Sequence, residues 1–137
     1  MRYDEKRARE APDDSAQSGN RAWWTAHTMS YDWRAPLAVE RFSQDWFDEI
    51  DRRFLHASRL FGDPADPFGP LMGLADLSGK RVLEIGCGMG LHAEMLTRAG
   101  ARLVAVDLSE TSIAATRARF SLKRLDADIR LADAERL

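Results

Sequence analysis

The apolar positions after residue 80 alternate between the spacing of strands and the spacing of helices. Short runs rich in apolar and β-branched residues predict three strands, at 81–85, 102–106 and 128–132. Helical spacing predicts two helices between them, at 91–99 and 110–123. Gly100 should end the first helix, and Ser109 should cap the second. This element order is typical of a doubly wound parallel sheet, so the predicted fold class is α/β.

The segment before residue 80 has a different pattern. Residues 1–20 are charged and small, so we expect a disordered tail, because too little apolar surface is present to offset the entropy of ordering it. Residues 21–79 hold most of the aromatic side chains and should form a helical cap and linker. One apolar stripe recurs at steps of three and four: Val39, Phe42, Trp46, Ile50 and Phe54. It predicts a helix that begins at Pro36 and ends before Gly62, followed by a loop rich in proline and glycine over 62–70.

Three glycines stand at every second position between the first predicted strand and its helix, in VLEIGCGMG. Gly86, Gly88 and Gly90 can adopt positive φ, and they let main-chain N–H groups approach a ligand without an intervening Cβ. A dinucleotide fingerprint, G-x-G-x-x-G, would need glycine at position 91, where the chain has Leu91. Glu84, two residues before the first glycine, is also foreign to the nicotinamide pattern.

Composition narrows the class of partner. The 137 residues carry 20 Lys and Arg against 22 Asp and Glu, a net charge of −2 that gives no electrostatic case for nucleic acid or a membrane surface. A single cysteine, Cys87, excludes an internal disulfide and a cysteine-rich metal site, so we predict no metal. The first 20 residues contain no apolar signal segment, and we expect a cytoplasmic protein with a small-molecule partner.

From Lys80 to Leu137 the sequence resembles the class I S-adenosylmethionine-dependent methyltransferases. VLEIGCGMG resembles their motif I, RLVAVDLS their second strand with its ribose-binding acid, and IRLADAERL their third strand with the loop that meets adenine. The resemblance implies a Rossmann-like sheet and S-adenosylmethionine as the cofactor. It implies these cofactor-binding residues: Glu84, Gly86, Cys87, Gly88, Gly90, Asp107, Leu108, Asp133 and Ala134.

The chemistry of that cofactor suits the acids. Asp107 can accept hydrogen bonds from both ribose hydroxyls, although it could also be a solvated strand end or a helix cap. Asp133 can accept from the adenine amino group, with the Ala134 N–H as a donor to the ring, or it could be a surface acid. Glu84 would face the amino-acid end. Cys87 is expected to be a packing residue in its loop.

The methyl acceptor is not identified by any motif, and the catalytic residues are unassigned. His27, Tyr31 and His56 are conceivable bases, whereas His92 is expected to be a surface or packing residue of its helix. Four aromatic residues of the cap, Trp23, Trp24, Tyr31 and Trp33, either line an acceptor pocket and shield the sulfonium or only pack the cap onto the sheet.

The family fold has seven strands and this chain provides three, so the resemblance predicts the N-terminal part of a longer protein, inactive as the 137-residue chain alone. Two alternatives stay open. One is an NAD(P)-dependent Rossmann oxidoreductase, and the other is a non-catalytic cofactor-binding fragment. The oligomeric state and the choice among O-, N- and C-methylation are also open.

Overall fold

The computed structural model describes residues 14–31, 37–58 and 67–137. Two helices precede the sheet, α1 (Asp14–Ala26) and α2 (Gln44–Ser58), followed by one helical turn, α3 (Gly69–Met72). The sheet region consists of β1 (Arg81–Ile85), α4 (Leu91–Arg98), β2 (Arg102–Asp107), α5 (Glu110–Lys123) and β3 (Asp128–Leu131). Short 3₁₀ turns cover Leu74–Asp76 and Ala134–Arg136. No helix in these described ranges is long and apolar enough to cross a membrane.

The three strands form one parallel sheet in the order β1-β2-β3. The strands and helices predicted after residue 80 are therefore confirmed, with ends that differ by about one residue. Gly100 ends α4 with φ +84°, and the Ser109 hydroxyl caps α5 by accepting from the Ser112 N–H at 3.2 Å. The fold is a partial Rossmann-like sheet, as the element order predicted.

The main core lies between the sheet and the helices α4 and α5. Its buried members are Cys87, Ala93, Leu96, Leu103, Ala105, Ile113 and Phe120. The other face of β1 is open in the described structure, where Leu83 is 52 % exposed and Ile85 is 60 % exposed. One face of the sheet therefore carries this core and the glycine loop.

The cap helix α2 packs onto the glycine loop and α5. Trp46, Phe47 and Ile50 form a second buried cluster with Met89 and Ala115. The predicted start of this helix at Pro36 is wrong: residues 37–43 are not helical, because the Ser43 hydroxyl accepts from the Trp46 N–H and caps a helix that starts at Gln44. Its predicted end before Gly62 lies outside the described residues, as does Pro36 itself.

The disordered tail predicted for residues 1–20 is wrong for residues 14–20, which belong to α1, whereas residues 1–13 lie outside the described ranges. Long-range contacts explain the difference. The Ser109 hydroxyl donates to the Trp24 carbonyl at 3.1 Å, and the Thr111 hydroxyl donates to the Thr25 carbonyl at 2.9 Å. These hydrogen bonds hold the helix against the start of α5. A contact between residues so far apart in the sequence cannot be predicted from local composition.

Candidate cofactor site

All three glycines of the loop between β1 and α4 have positive φ, at +79° for Gly86, +53° for Gly88 and +80° for Gly90. The predicted need for glycine is therefore confirmed at each position. Gly90 is also needed for packing, because a Cβ there would lie 2.9 Å from the Thr116 Oγ1 atom. A Cβ on Gly86 or Gly88 would meet no atom within 4 Å. The open side of these two glycines lines a cavity.

Four amide groups of the loop donate into the protein and not into the cavity. The Gly86 and Cys87 N–H groups donate to the Val106 carbonyl at 2.8 and 3.1 Å. The Gly88 N–H donates to Asp107 Oδ2 at 2.9 Å, and the Gly90 N–H donates to the Cys87 carbonyl at 2.9 Å. Three of these four N–H groups already donate to residues of β2. The expectation that they face a ligand is therefore wrong. The loop is held from inside, and these four N–H groups are not free to bind an anion.

Asp107 joins the end of β2 to the glycine loop. Its Oδ2 atom accepts from the Gly88 N–H, and its Oδ1 atom accepts from the Ser109 N–H at 2.8 Å. The alternative that Asp107 shares in starting α5 is correct, and the same side chain lines the cavity. A carboxylate oxygen can accept more than one hydrogen bond, so Asp107 can still take a ligand hydroxyl.

Glu84 lies beside Asp107 on the same face of the sheet. Glu84 pairs with Ala105, and side chains two residues apart on a strand point the same way, which aligns Glu84 with Asp107. Its Oε2 atom is buried and has no hydrogen-bond partner. Burial, and then the charge of Asp107, raises the pKa of Glu84 to about 7. A cationic ligand group would relieve this unpaired carboxyl.

The first cavity has a volume of ≈ 500 Å³ and lies at the carboxyl ends of the strands, between the sheet and α1. Six of the predicted cofactor residues line it: Gly86, Gly88, Asp107, Leu108, Asp133 and Ala134. The cavity is not lined by the other three predicted residues, Glu84, Cys87 and Gly90. The opposite wall comes from the N-terminal segment, with Gln17, Asn20, Trp24, Thr28 and Met29. Sequence reasoning missed the polar members of that wall, because no motif surrounds them.

Asp133 is held in place at the rim of this cavity. Its Oδ1 atom accepts from the Glu135 N–H at 3.0 Å and caps the last 3₁₀ turn. The side chain is only 14 % exposed, so the reading of Asp133 as an exposed surface acid is wrong. It is available as an acceptor next to the Ala134 backbone.

A second, smaller cavity of ≈ 160 Å³ meets the first at Met29, Gly86 and Gly88. Its other walls are Tyr31, Ile50, Asp51, Phe54, Cys87, Met89, Leu91 and His92. Burial raises the pKa of the Cys87 thiol to about 12, so Cys87 is a neutral packing residue as expected. Of the conceivable bases, Tyr31 lines this cavity, whereas His27 and His56 are exposed and line neither.

Of the described cap aromatics, Trp24 and Tyr31 each line a cavity, whereas Trp23 takes neither of the two roles considered for it. Trp24 lines the first cavity, whereas Trp23 is 58 % exposed and stacks on His27, with ring centroids 4.0 Å apart. Tyr31 contacts Phe54 at the second cavity, with centroids 5.4 Å apart. Trp33 lies outside the described residues.

A buried arginine, Arg119, is the residue that sequence reasoning missed most completely. Its side chain is 0 % exposed. The guanidinium donates to the Met89 carbonyl at 2.8 Å, to both oxygens of Asp51 at 2.6 and 2.8 Å, and to Glu94 at 3.0 Å. Arg119 therefore ties α5 to the glycine loop, to the cap helix α2 and to α4.

Comparison with known proteins supports the resemblance of the sheet region to methyltransferases. Residues 82–137 match the family described as "Methyltransferase domain". Proteins named "Ubiquinone biosynthesis O-methyltransferase" are similar: one from Azoarcus sp. is 33 % identical over 61 % of this chain, and one from Methylocella silvestris is 38 % identical over 66 %. A third, from Rhodopseudomonas palustris, is 42 % identical over 47 % of this chain.

This chain spans only part of those relatives: 41 % of the Azoarcus protein, 32 % of the Methylocella protein and 25 % of the Rhodopseudomonas protein. A solved structure described as "Conversion of a Disulfide Bond into a Thioacetal Group during Echinomycin Biosynthesis" is 34 % identical, over 50 % of this chain and 29 % of that one, with a TM-score of 0.45. The match over residues 82–137, together with the parallel sheet and the glycine loop with its flanking acids, makes this segment similar to the methyltransferase domain family.

Proposed function

We propose that the protein binds S-adenosylmethionine in the first cavity and transfers its methyl group to a small-molecule acceptor. The main support is the distribution of charge around the glycine loop. Glu84, Asp107 and Asp133 lie near the carboxyl ends of the three strands, while the loop amides donate to Val106, Asp107 and Cys87. A pyrophosphate needs free N–H donors and few carboxylates, which is the reverse arrangement. This disfavours the NAD(P)-dependent alternative.

Each acid has a matching group on the proposed cofactor. Asp107 would accept from the ribose hydroxyls, and Asp133 would accept from the adenine amino group beside the Ala134 N–H. Glu84 would balance the ammonium of the amino-acid end, directly or through water, and its unpartnered Oε2 fits that need. The remaining predicted residues would shape the walls: Gly86, Gly88 and Leu108 at the cavity, and Cys87 and Gly90 through the fold of the loop.

When bound, the cofactor supplies an electrophilic methyl group on a cationic sulfur. The protein then has to hold the acceptor close to that group and to exclude water. The wall from α1 and Trp24 covers the cavity on the side opposite the sheet. The names of the similar proteins favour O-methylation, and a small-molecule acceptor and a cytoplasmic location are part of this proposal.

Calorimetry with S-adenosylmethionine, its demethylated product and NAD tests the proposal, together with methyl transfer from labelled cofactor. We expect the first two ligands to bind and NAD to give no heat. Asp107→Asn should weaken binding, while the matched change Asp126→Asn, at an exposed acid outside the cavity, should not. NAD binding without a response to S-adenosylmethionine would refute the proposal.

A further inference from the structure

We propose that Thr116 and Arg119 of α5 are positioning residues for the cofactor, and that Asp51 of the cap helix α2 completes their hold on the glycine loop. Docking of the cap is thereby coupled to cofactor binding. This inference rests on the proposed function. It assigns a role in cofactor binding to three residues that do not line the first cavity.

The glycine loop is held from two sides. The strand β2 accepts from its N–H groups as far as Gly88. The helix α5 holds the next two carbonyls, because the Thr116 hydroxyl donates to the Gly88 carbonyl at 3.0 Å and Arg119 Nε donates to the Met89 carbonyl at 2.8 Å. Residues three positions apart share one face of a helix, so Thr116 and Arg119 act on the loop together.

These two hydrogen bonds restrict a segment that is costly to order. Glycine loses more backbone freedom on folding than any other residue, and the loop has three glycines in five positions. Thr116 and Arg119 are both 0 % exposed, so water cannot take their place. When a loop is competent to bind for only a fraction of the time, the measured affinity falls by that fraction. Loss of either donor should therefore weaken cofactor binding without removing a contact to the cofactor.

The cap aims the guanidinium of Arg119 at the loop. A guanidinium is planar and its N–H groups have fixed directions. Its Nη1 and Nη2 atoms donate to the two oxygens of Asp51 at 2.8 and 2.6 Å, and this two-point pairing fixes the plane in which Nε meets the Met89 carbonyl. The Met89 side chain also packs in one buried cluster with Ile50, the neighbour of Asp51 on α2. The cap therefore holds Met89 through its carbonyl and through its side chain.

This arrangement makes the cap and the cofactor depend on each other. A docked cap favours the ordered loop, and the ordered loop favours the cofactor. Coupling of this kind is reciprocal, so bound cofactor should favour the docked cap by the same factor.

The first test removes the Thr116 donor, with calorimetry of the demethylated cofactor as the measurement. Thr116→Val keeps the shape of the side chain and should raise Kd about fivefold, the worth of one hydrogen bond. Thr116→Ser keeps the donor and should bind about as tightly as the wild type. The control is Thr97→Val, because the buried Oγ1 of Thr97 has no hydrogen-bond partner among the described residues. This control should leave Kd unchanged.

The second test concerns Arg119 and the cap, at a temperature where circular dichroism shows each variant folded. Arg119→Met should raise Kd at least about tenfold, because hydrogen bonds of a charged group are lost. Leu103→Ala, a cavity-forming change in the main core, should lower stability but leave Kd unchanged. Asp51→Asn should raise Kd in the wild type and add little in the Arg119→Met background, because Asp51 acts through Arg119.

Hydrogen exchange measures the reciprocal effect. Addition of the demethylated cofactor to the wild-type protein should slow amide exchange at Trp46 and Phe47, two buried residues of the cap that line neither cavity. The same addition to Arg119→Met, at saturation, should slow it much less.

Wild-type affinity in Thr116→Val would overturn the inference, and this variant decides the matter if Arg119→Met does not fold. An equal loss of affinity in Leu103→Ala would also overturn it, because the effect would then be one of stability alone. An undiminished effect of Asp51→Asn in the Arg119→Met background would contradict the role of the cap. Failure of the wild-type protein to bind any form of the cofactor would instead refute the proposed function.

Discussion

Replacing Arg119 with methionine should destabilise the protein by about 3 kcal/mol. The substitution keeps a long apolar side chain against Phe47, whose ring centre lies 4.6 Å from the guanidinium, so the loss is chiefly that of the charge and its hydrogen bonds. The Asp51 carboxylate loses both of its hydrogen bonds from Arg119, and the Met89 carbonyl loses its donor. Asp51 is only 17 % exposed, so water can replace little of what is lost.

The size of this effect depends on which ion-pair partners Asp51 and Glu94 keep after the substitution. Removing one member of a buried ion pair costs about 3–5 kcal/mol, because the other charge is left uncompensated. Glu94 keeps Arg98 at 2.8 Å and Lys123 at 3.8 Å, so only Asp51 is fully orphaned. We therefore place the loss at the lower end of that range. The double variant Arg119→Met with Asp51→Leu should recover about half of it, because the orphaned charge is then removed too.

Urea unfolding followed by far-ultraviolet circular dichroism measures these free energies. Arg52→Met is the control, because Arg52 pairs with Glu49 on the exposed face of α2 and should matter little. The reasoning is wrong if Arg119→Met costs less than about 1 kcal/mol, or if the double variant is as unstable as the sum of its single changes. Either result would show that the buried guanidinium does not hold the cap to the glycine loop.

Three further predictions concern the acids and the glycine loop. Asp107→Ala should weaken cofactor binding by about 1–3 kcal/mol and should also lower stability, measured by calorimetry and urea unfolding, because Asp107 accepts from Gly88 and Ser109. Gly88→Val should abolish cofactor binding. The control Gly79→Val, at an equally open position with φ +73° and outside both cavities, should cost stability alone. Equal binding by the two variants would show that Gly88 does not contact the cofactor. The contribution of Glu84 to the free energy of unfolding, taken as the difference between the wild type and Glu84→Gln, should fall by about 3 kcal/mol as pH rises from about 4.5 through 7, because the folded-state pKa of Glu84 is raised and its protonated form is the favoured one. Glu84→Gln should remove that contribution, and an unchanged pH profile in this variant would assign the effect to other groups.

Much of the sheet region could be predicted because its signals are local. The apolar runs of β1 and β2 fix the strands, and Ser109 and Gly100 fix helix ends by capping and positive φ. The resemblance to the methyltransferases implied that the acids share one site, which is consistent with parallel strands ending at one edge of a sheet. Asp107 and Asp133 both line the first cavity.

The features that sequence reasoning missed depend on contacts between distant residues. Arg119 and Asp51 are 68 positions apart, and nothing in the pattern of α5 distinguishes a buried arginine from the exposed Arg117. The helix α1 is ordered through Ser109 and Thr111, more than 80 residues away. The inward direction of the loop amides depends on the carbonyl of Val106 in the neighbouring strand, which no motif encodes.

The most direct test of the central claim is the number of protons released when the demethylated cofactor binds. Burial and Asp107 raise the pKa of Glu84 to about 7 in the free protein, so at pH 6.5 this carboxyl is mostly protonated. A bound ammonium group beside it should lower that pKa and release a fraction of a proton for each cofactor bound. Calorimetry in two buffers with different ionisation enthalpies measures this number. The account predicts release by the wild-type protein and none by Glu84→Gln, whereas binding without proton release in the wild type would contradict it.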